Sequence, residues 1–214
     1  MPLPEDELQR LPVFPLPRVV FFPGSLLPLH LFETRYRDLA RYCMEQGPRA
    51  MAISLLKPGY EANYEGRPGM HAIAGVGRIV EHRERPDGTH DLILQGMGRV
   101  QLDEHPPGQH SFRLARATPL EERGEVSAAN MRTLLACSTS VAAVVRARHP
   151  EFELGIGNDE SAGQTIDTLA DRFVAAPEER QAILEALDLE KRCELTLATV
   201  SEVLAALAAN QDPS

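Results

Sequence analysis

The segment Leu11-Pro-Val-Phe-Pro-Leu-Pro17 constrains this chain more than any other. Each proline fixes φ, removes a backbone donor and restricts the residue before it, so the segment can only be extended. Such a run suits an edge strand or a crossing segment, not a central strand. Pro23-Gly24 then marks a turn.

Beyond that turn the apolar period changes. Phe32, Tyr36, Leu39, Ala40 and Cys43 share one face of a predicted helix, which Gly47-Pro48 ends. Ala50 to Leu56 is almost wholly apolar and reads as a strand buried on both faces. Gly59 to Gly69 reads as loop. Residues 71–85 and 89–95 read as strands joined by Pro86-Asp87-Gly88, a strong hairpin signal. Val100 with Leu102, and Phe112 with Leu114, alternate with polar neighbours as half-buried strands do. Gly75, Gly77, Gly96 and Gly98 suit bulges and corners in a small closed sheet. As a phosphate loop they lack the third glycine and a following helix.

The second half changes to helical periodicity. Met131, Leu134, Leu135, Val141, Val144 and Val145 form one stripe before His149-Pro150 breaks it. Ile166, Leu169, Ala170, Phe173 and Val174 fit the helical spacing in full. Pro177 sits where a first-turn proline belongs, ahead of Ile183, Leu184 and Leu187. Asp188 is placed to cap a last helix carrying Cys193, Leu197, Val200, Leu204 and Leu207. Such stripes pack into a bundle core. The expected class is therefore α+β: a β-rich unit with one early helix over residues 1–120, then an α-helical bundle over 121–214.

Charge divides at the same place. Residues 1–120 hold 14 acidic and 14 basic side chains, whereas residues 121–214 hold 17 and 8. The net charge of −9 thus belongs to the second half, which disfavours nucleic acid and anionic membrane as its partners. Cys43, Cys137 and Cys193 are widely spaced in apolar helical patterns. They read as buried small hydrophobes and not as a disulfide framework or zinc site. No run approaches eighteen consecutive apolar residues, and the start MPLPEDELQR is acidic and proline-broken. The sequence thus predicts no membrane-spanning helix and no signal peptide, hence a cytoplasmic protein.

Catalytic motifs are scarce. The sequence contains no G-x-x-x-x-G-K-[ST], no G-x-S-x-G and no H-E-x-x-H. Its two lysines, Lys57 and Lys191, lie outside any recognisable serine–lysine arrangement. His82 and His90 can face each other across the predicted hairpin, but no further ligand pattern joins them. No catalytic residue, metal or cofactor is expected.

The run from Leu11 to Tyr36, with its Phe22-Pro-Gly24 turn and Pro28-Leu-His-Leu-Phe-Glu-Thr-Arg-Tyr36, closely resembles the opening of the Lon protease amino-terminal domain family. Gly75-Val-Gly-Arg-Ile-Val80 and Leu92-Ile-Leu-Gln-Gly-Met-Gly-Arg-Val100 resemble its central hairpin. Leu169 to Phe173 and Pro177 to Asp188 resemble its helical part. Thr34 stands where many members carry proline. The resemblance implies a PUA-like β-barrel followed by helices. It also implies a stand-alone module for unfolded or degron-bearing polypeptide, working with a separate protease and without the ATPase and peptidase of full-length Lon.

Strand addition at a sheet edge would be one route to binding. The motif residues Pro23, Gly24, His30, Phe32, Glu33, Arg35 and Tyr36 are read as structural. Phe32 and Tyr36 are assigned to the core. Glu33 and Arg35 are assigned to an ion pair or to backbone hydrogen bonds. RNA binding is the alternative, since PUA-like barrels elsewhere bind RNA, but no basic stripe with interleaved aromatics supports it. A further alternative is an ATP-dependent protease label inherited from the family. Ligand binding through an added zinc domain would need cysteine pairs that this sequence lacks.

Overall fold

The computed structural model describes residues 3–157 and 159–209. Both ends of the expected units, residues 1–2 and 210–214, lie outside them. The chain forms two compact units, Met1–Leu120 and Glu121–Ser214.

The first unit is built on six strands: β1 (Leu11–Leu16), β2 (Leu26–Leu31), β3 (Ala50–Leu55), β4 (Ile73–Glu84), β5 (His90–Glu104) and β6 (Arg113–Leu120). Their order is β2-β5-β4-β3-β1-β6, and β6 pairs back onto β5. Five strands thereby close a barrel, and β2 is added on the outside of β5. One strand can serve both neighbours because β5 is long. Its first half pairs with β2 through Leu31↔His90 to Leu26↔Gln95, and its second half pairs with β6 through Arg99↔Leu120 to Glu104↔Ala115. The glycines of 96–98 therefore do not end a strand. Val76 pairs with Gly98 and Gly77 with Gly96, so Met97 is the extra residue of a bulge where the sheet turns its corner.

β3 is buried throughout, and its two faces enter different clusters. Ala50 and Ala52 join Leu11, Val13, Ala74, Val100, Leu102, Ala115 and Ala117, drawn from all five closed strands, in the barrel interior. Its alanines match the narrow space inside so small a barrel. Met51 and Ile53 face an outer layer with Phe14, Leu31, Leu92 and Leu94, covered by helix α2 (Thr34–Glu45) through Tyr36, Leu39, Ala40 and Cys43. Helix α1 (Glu5–Gln9), absent from the sequence reading, is too short to show a period; its Leu8 is buried against the interior cluster.

The proline-rich strand β1 is not an edge. It lies between β3, in parallel, and β6, antiparallel. The Leu56 N–H donates to the Leu16 carbonyl, so even-numbered residues of β1 face β3 and odd-numbered ones face β6. Pairing with β3 begins at Val13 and pairing with β6 ends at Val13. Pro12 faces β3 before that ladder starts, and Pro15 faces β6 after that ladder stops. The two prolines thus sit where no N–H is needed.

The second unit holds α3 (Ala128–Arg146), α4 (Ala162–Phe173), α5 (Pro177–Glu185) and α6 (Leu189–Ala209). Ser127 Oγ caps α3 by accepting from Asn130, Ser161 and Gln164 form a reciprocal capping box on α4, and Asp188 Oδ1 accepts from Lys191 N–H at the start of α6. Leu134, Val141, Ile166, Leu169, Cys193 and Val200 form its core, with Leu197, Leu204 and Leu207 against it. By length and composition alone α3 is apolar enough to cross a bilayer, as core helices also can be. Its Leu134, Val141 and Ala142 are buried within the unit. Cys43 and Cys193 are buried as read, while Cys137 is half-buried.

Arg192 has no exposed side-chain surface. Its guanidinium meets Glu122, lies 3.5 Å from Asp167, and donates to the Ala186 carbonyl at 2.8 Å. Asp167 is itself buried. A buried cation needs such partners because the interior solvates it poorly.

Candidate functional site

In the first unit, β2 alternates with period two. Leu27, Leu29 and Leu31 turn towards the outer core layer, while Leu26, Pro28 and His30 turn out to solvent. Register places Leu26 beside Gln95, Pro28 beside Ile93 and His30 beside Asp91; Ile93 in turn pairs with Glu81 of β4. The register shift between Ile79 and Glu81 leaves Val80 exposed. An apolar line therefore crosses three strands: Pro28, Ile93, Val80. Leu26 and Phe32 stand at its β2 ends, each 63% exposed. A shallow groove of about 430 Å³ runs here, lined by Pro28, His30, Glu81, Arg83, Asp91 and Ile93 among others. Its rim is polar. Asp91 accepts from Arg85 Nε at 2.6 Å and lies 2.8 Å from His30 Nδ1, which holds its carboxyl below the usual range.

The motif residues divide into three places. Pro23 and Gly24 form a turn in which Gly24, at φ +82°, donates to the Gly96 carbonyl. His30 and Phe32 stack outside, with ring centroids 6.0 Å apart. Phe32 is thus not a core residue. Helix α2 begins only at Thr34 after an extended Glu33, so Phe32 keeps strand parity and points opposite to Leu31. Glu33, Arg35 and Tyr36 form the third group. Arg35 pairs with Glu33 at 2.8 Å and donates to the Tyr64 carbonyl at 3.1 Å, and Tyr64 Oη donates to Glu33 at 3.0 Å. Tyr36 is buried against Phe14, ring centroids 4.3 Å apart. Burial, partly offset by Arg35, pushes its phenol up to about 12.

His82 and His90 do meet, Nε2 to Nδ1 at 3.0 Å with stacked rings. Burial lowers the His90 pKa; His82, Arg41 and Arg37 lower it further, and Glu84 opposes them. Among the described residues no group of three His, Cys, Asp or Glu side chains is placed to hold a metal ion. The paired glycines of β4 and β5 lie inside strands, with no helix N-terminus following them.

Residues 10–202 match the ATP-dependent protease La (LON) substrate-binding domain. The chain belongs to that family. Lon proteases from Xanthomonas oryzae and Phenylobacterium zucineum are 24% and 27% identical over 92% and 96% of this chain. These alignments cover 23% and 26% of the relatives, so the chain spans about a quarter of the Lon proteases it matches. A Lon N-terminal domain protein from Xanthomonas campestris superposes with a TM-score of 0.64 at 22% identity, over 89% of this chain and 98% of that one. The N-terminal domain of the Mycobacterium avium complex Lon protease gives 0.69 at 13% identity, over 91% and 99%. The closed barrel followed by helices is the fold these Lon domains share.

Sequence reasoning missed Leu26, Val80, Ile93, Asp91 and Tyr64. The alternation of Leu26, Pro28 and His30 was legible in β2. The partners on β4 and β5, and Tyr64 from a distant loop, join them only through register.

Proposed function

We propose that this chain is a polypeptide-recognition module. It binds unfolded or degron-bearing segments, or delivers them as an adaptor to a separate protease, with no ATPase or peptidase activity of its own. The observation that carries this reading is the apolar line of Pro28, Ile93 and Val80, with Leu26 and Phe32, on the solvent face of β2, β5 and β4. Apolar side chains gathered on one face and rimmed by charge are what a protein needs to hold an exposed apolar segment. Family membership supports the same reading.

Recognition here works by side-chain contact with a sheet face. The Gly96 N–H donates to the Ser25 carbonyl, so odd-numbered residues of β2 face β5 and even-numbered ones face the free edge. Pro28 occupies the middle of that edge and offers no donor, which interrupts any strand added there. The edge-addition route considered from the sequence is thereby disfavoured.

The test is binding of the purified protein to reduced, unfolded casein and to an arrayed peptide library, with casein and nucleotide hydrolysis followed in parallel. Binding is expected, weakened at least tenfold in Phe32→Ser/Leu26→Ser, with no hydrolysis. Undiminished binding by that double variant moves the site elsewhere. No binding to any unfolded polypeptide overturns the reading. RNA binding is not favoured, because the same face carries Glu81 and Asp91 alongside Arg83 and Arg85.

A further inference from the structure

Three arginines from separate segments of the first unit converge: Arg35 on α2, Arg67 in the loop after β3, and Arg113 at the start of β6. With Tyr36, Tyr64 and Phe112 they line a cavity of about 30 Å³. Two carboxylates accompany the three guanidiniums, leaving one positive charge in excess. Glu33 pairs closely with Arg35. Glu104 is shared, 3.6 Å from Arg67 and 3.5 Å from Arg113, both longer than a well-formed charge-assisted hydrogen bond. Arg113 is buried, and its Nη2 donates to the Pro68 carbonyl at 2.7 Å. The Arg35 guanidinium carbon lies over the Tyr36 and Tyr64 rings, 4.6 and 5.0 Å from their centroids. Burial depresses the Arg113 pKa, and the neighbouring Arg67 and Arg35 add to this against Glu104 and Tyr36. An added anion would relieve that crowding.

Size narrows the ligand. At about 30 Å³ the cavity has room for a compact anionic group such as a carboxylate. A second concavity of about 360 Å³ shares Arg67 and Phe112 with it and continues past Arg10, His105, His110 and Leu114. We infer that the three-arginine cavity binds a peptide carboxylate, with the adjoining concavity holding the residues attached to it. Arginine suits this role because its fork of donors matches the two oxygens of a carboxylate.

The site shares no lining residue with the groove over β2, so it can be tested separately from the polypeptide-binding reading. The probes are N-acetyl-Leu-Leu as the free acid, the same dipeptide as its carboxyl-terminal amide, and N-acetyl-Leu-Asp amide. Each is titrated while the arginine Nε–H NMR signals are followed. Saturable shifts of Arg35, Arg67 and Arg113 with the free acid but not the amide are expected. Binding should be at least tenfold weaker in Arg67→Gln, whose thermal melt confirms that it stays folded. Equal binding of the aspartate amide assigns the site to acidic side chains as well as chain ends; its failure assigns it to chain ends. The inference is overturned if the acid and the amide bind alike, if neither acid saturates, if Arg67→Gln binds normally, or if inorganic phosphate competes as well as the acid. Loss of casein binding in Phe32→Ser/Leu26→Ser with normal acid binding leaves this site standing, and the reverse result leaves the other.

Discussion

In the barrel unit the closest approaches are made by backbone, whereas in the helical unit they are made by side chains. A Cβ placed on Gly75 would overlap the Phe21 carbonyl oxygen, and one on Gly96 would overlap that of Phe22. The crossing segment that carries these phenylalanines lies directly on the sheet, so part of this fold depends on residues having no side chain. The helical unit is instead closed by interdigitated Leu134, Ile166, Leu169 and Val200, and by one buried cation, Arg192, among Asp167, Glu122 and the Ala186 carbonyl. The barrel is most sensitive where an added atom would meet backbone. The bundle is most sensitive where a charge would lose its partner.

The sharpest way to break this contrast is Gly75→Val. It must displace backbone, and we expect a loss of more than about 4 kcal/mol, read as failure of the barrel unit to fold by NMR. Gly98→Val is the matched control, since a Cβ there meets nothing within 4 Å. It should cost less than about 1 kcal/mol; equal damage from both would refute the close-approach argument.

In the bundle, Arg192→Ala removes the cation that lies 3.5 Å from buried Asp167, at a cost of about 3–5 kcal/mol in urea unfolding. Arg192→Met combined with Asp167→Leu removes both charges and should recover much of that loss. If the double variant is no better than the single one, the cluster stabilises through packing and not through charge pairing.

A smaller effect should separate the units in acid. The folded state holds His90 below its ordinary value of 6.5, so it binds fewer protons than the unfolded chain. Its contribution to barrel stability is therefore present above pH 6.5 and is lost as pH falls through 6.5 towards the folded pKa. Urea midpoints at pH 7.5 and 5.5 should show this fall in the barrel, and His90→Phe should flatten it. An unchanged slope in that variant would place the acid sensitivity elsewhere.

The smallest folding effect, below about 0.5 kcal/mol, is expected for Pro28→Val at the free edge of β2. Its consequence should appear in association. Restoring an N–H to the outward side of β2 should raise self-association in sedimentation velocity; a variant as monodisperse as its parent would show that the proline does not guard that edge.

Much of the fold was legible in local pattern. The stripes from Met131 to Leu207 marked every helix of the second unit, and Asp87-Gly88 marked the β4–β5 hairpin. There Asp87 accepts from the Thr89 N–H at 3.0 Å. Local period misled at Phe32, whose spacing from Tyr36 is helical although the helix starts after it. The candidate sites were less visible. Tyr64 and Arg67 lie in a segment with no apolar period, and nothing local indicates that Arg113 will stand beside Arg35.

By itself the sequence determined what depends on neighbours a few residues away: helix faces and caps, turns, the extended prolines, and the charge difference between the halves. Only the tertiary structure decided which edge each proline faces, how β5 serves both β2 and β6, and which arginines gather around one cavity. The reason lies in strand geometry. A helix closes its hydrogen bonds within one turn, but a strand bonds to partners distant in the chain, and a one-residue shift in register reverses every side chain.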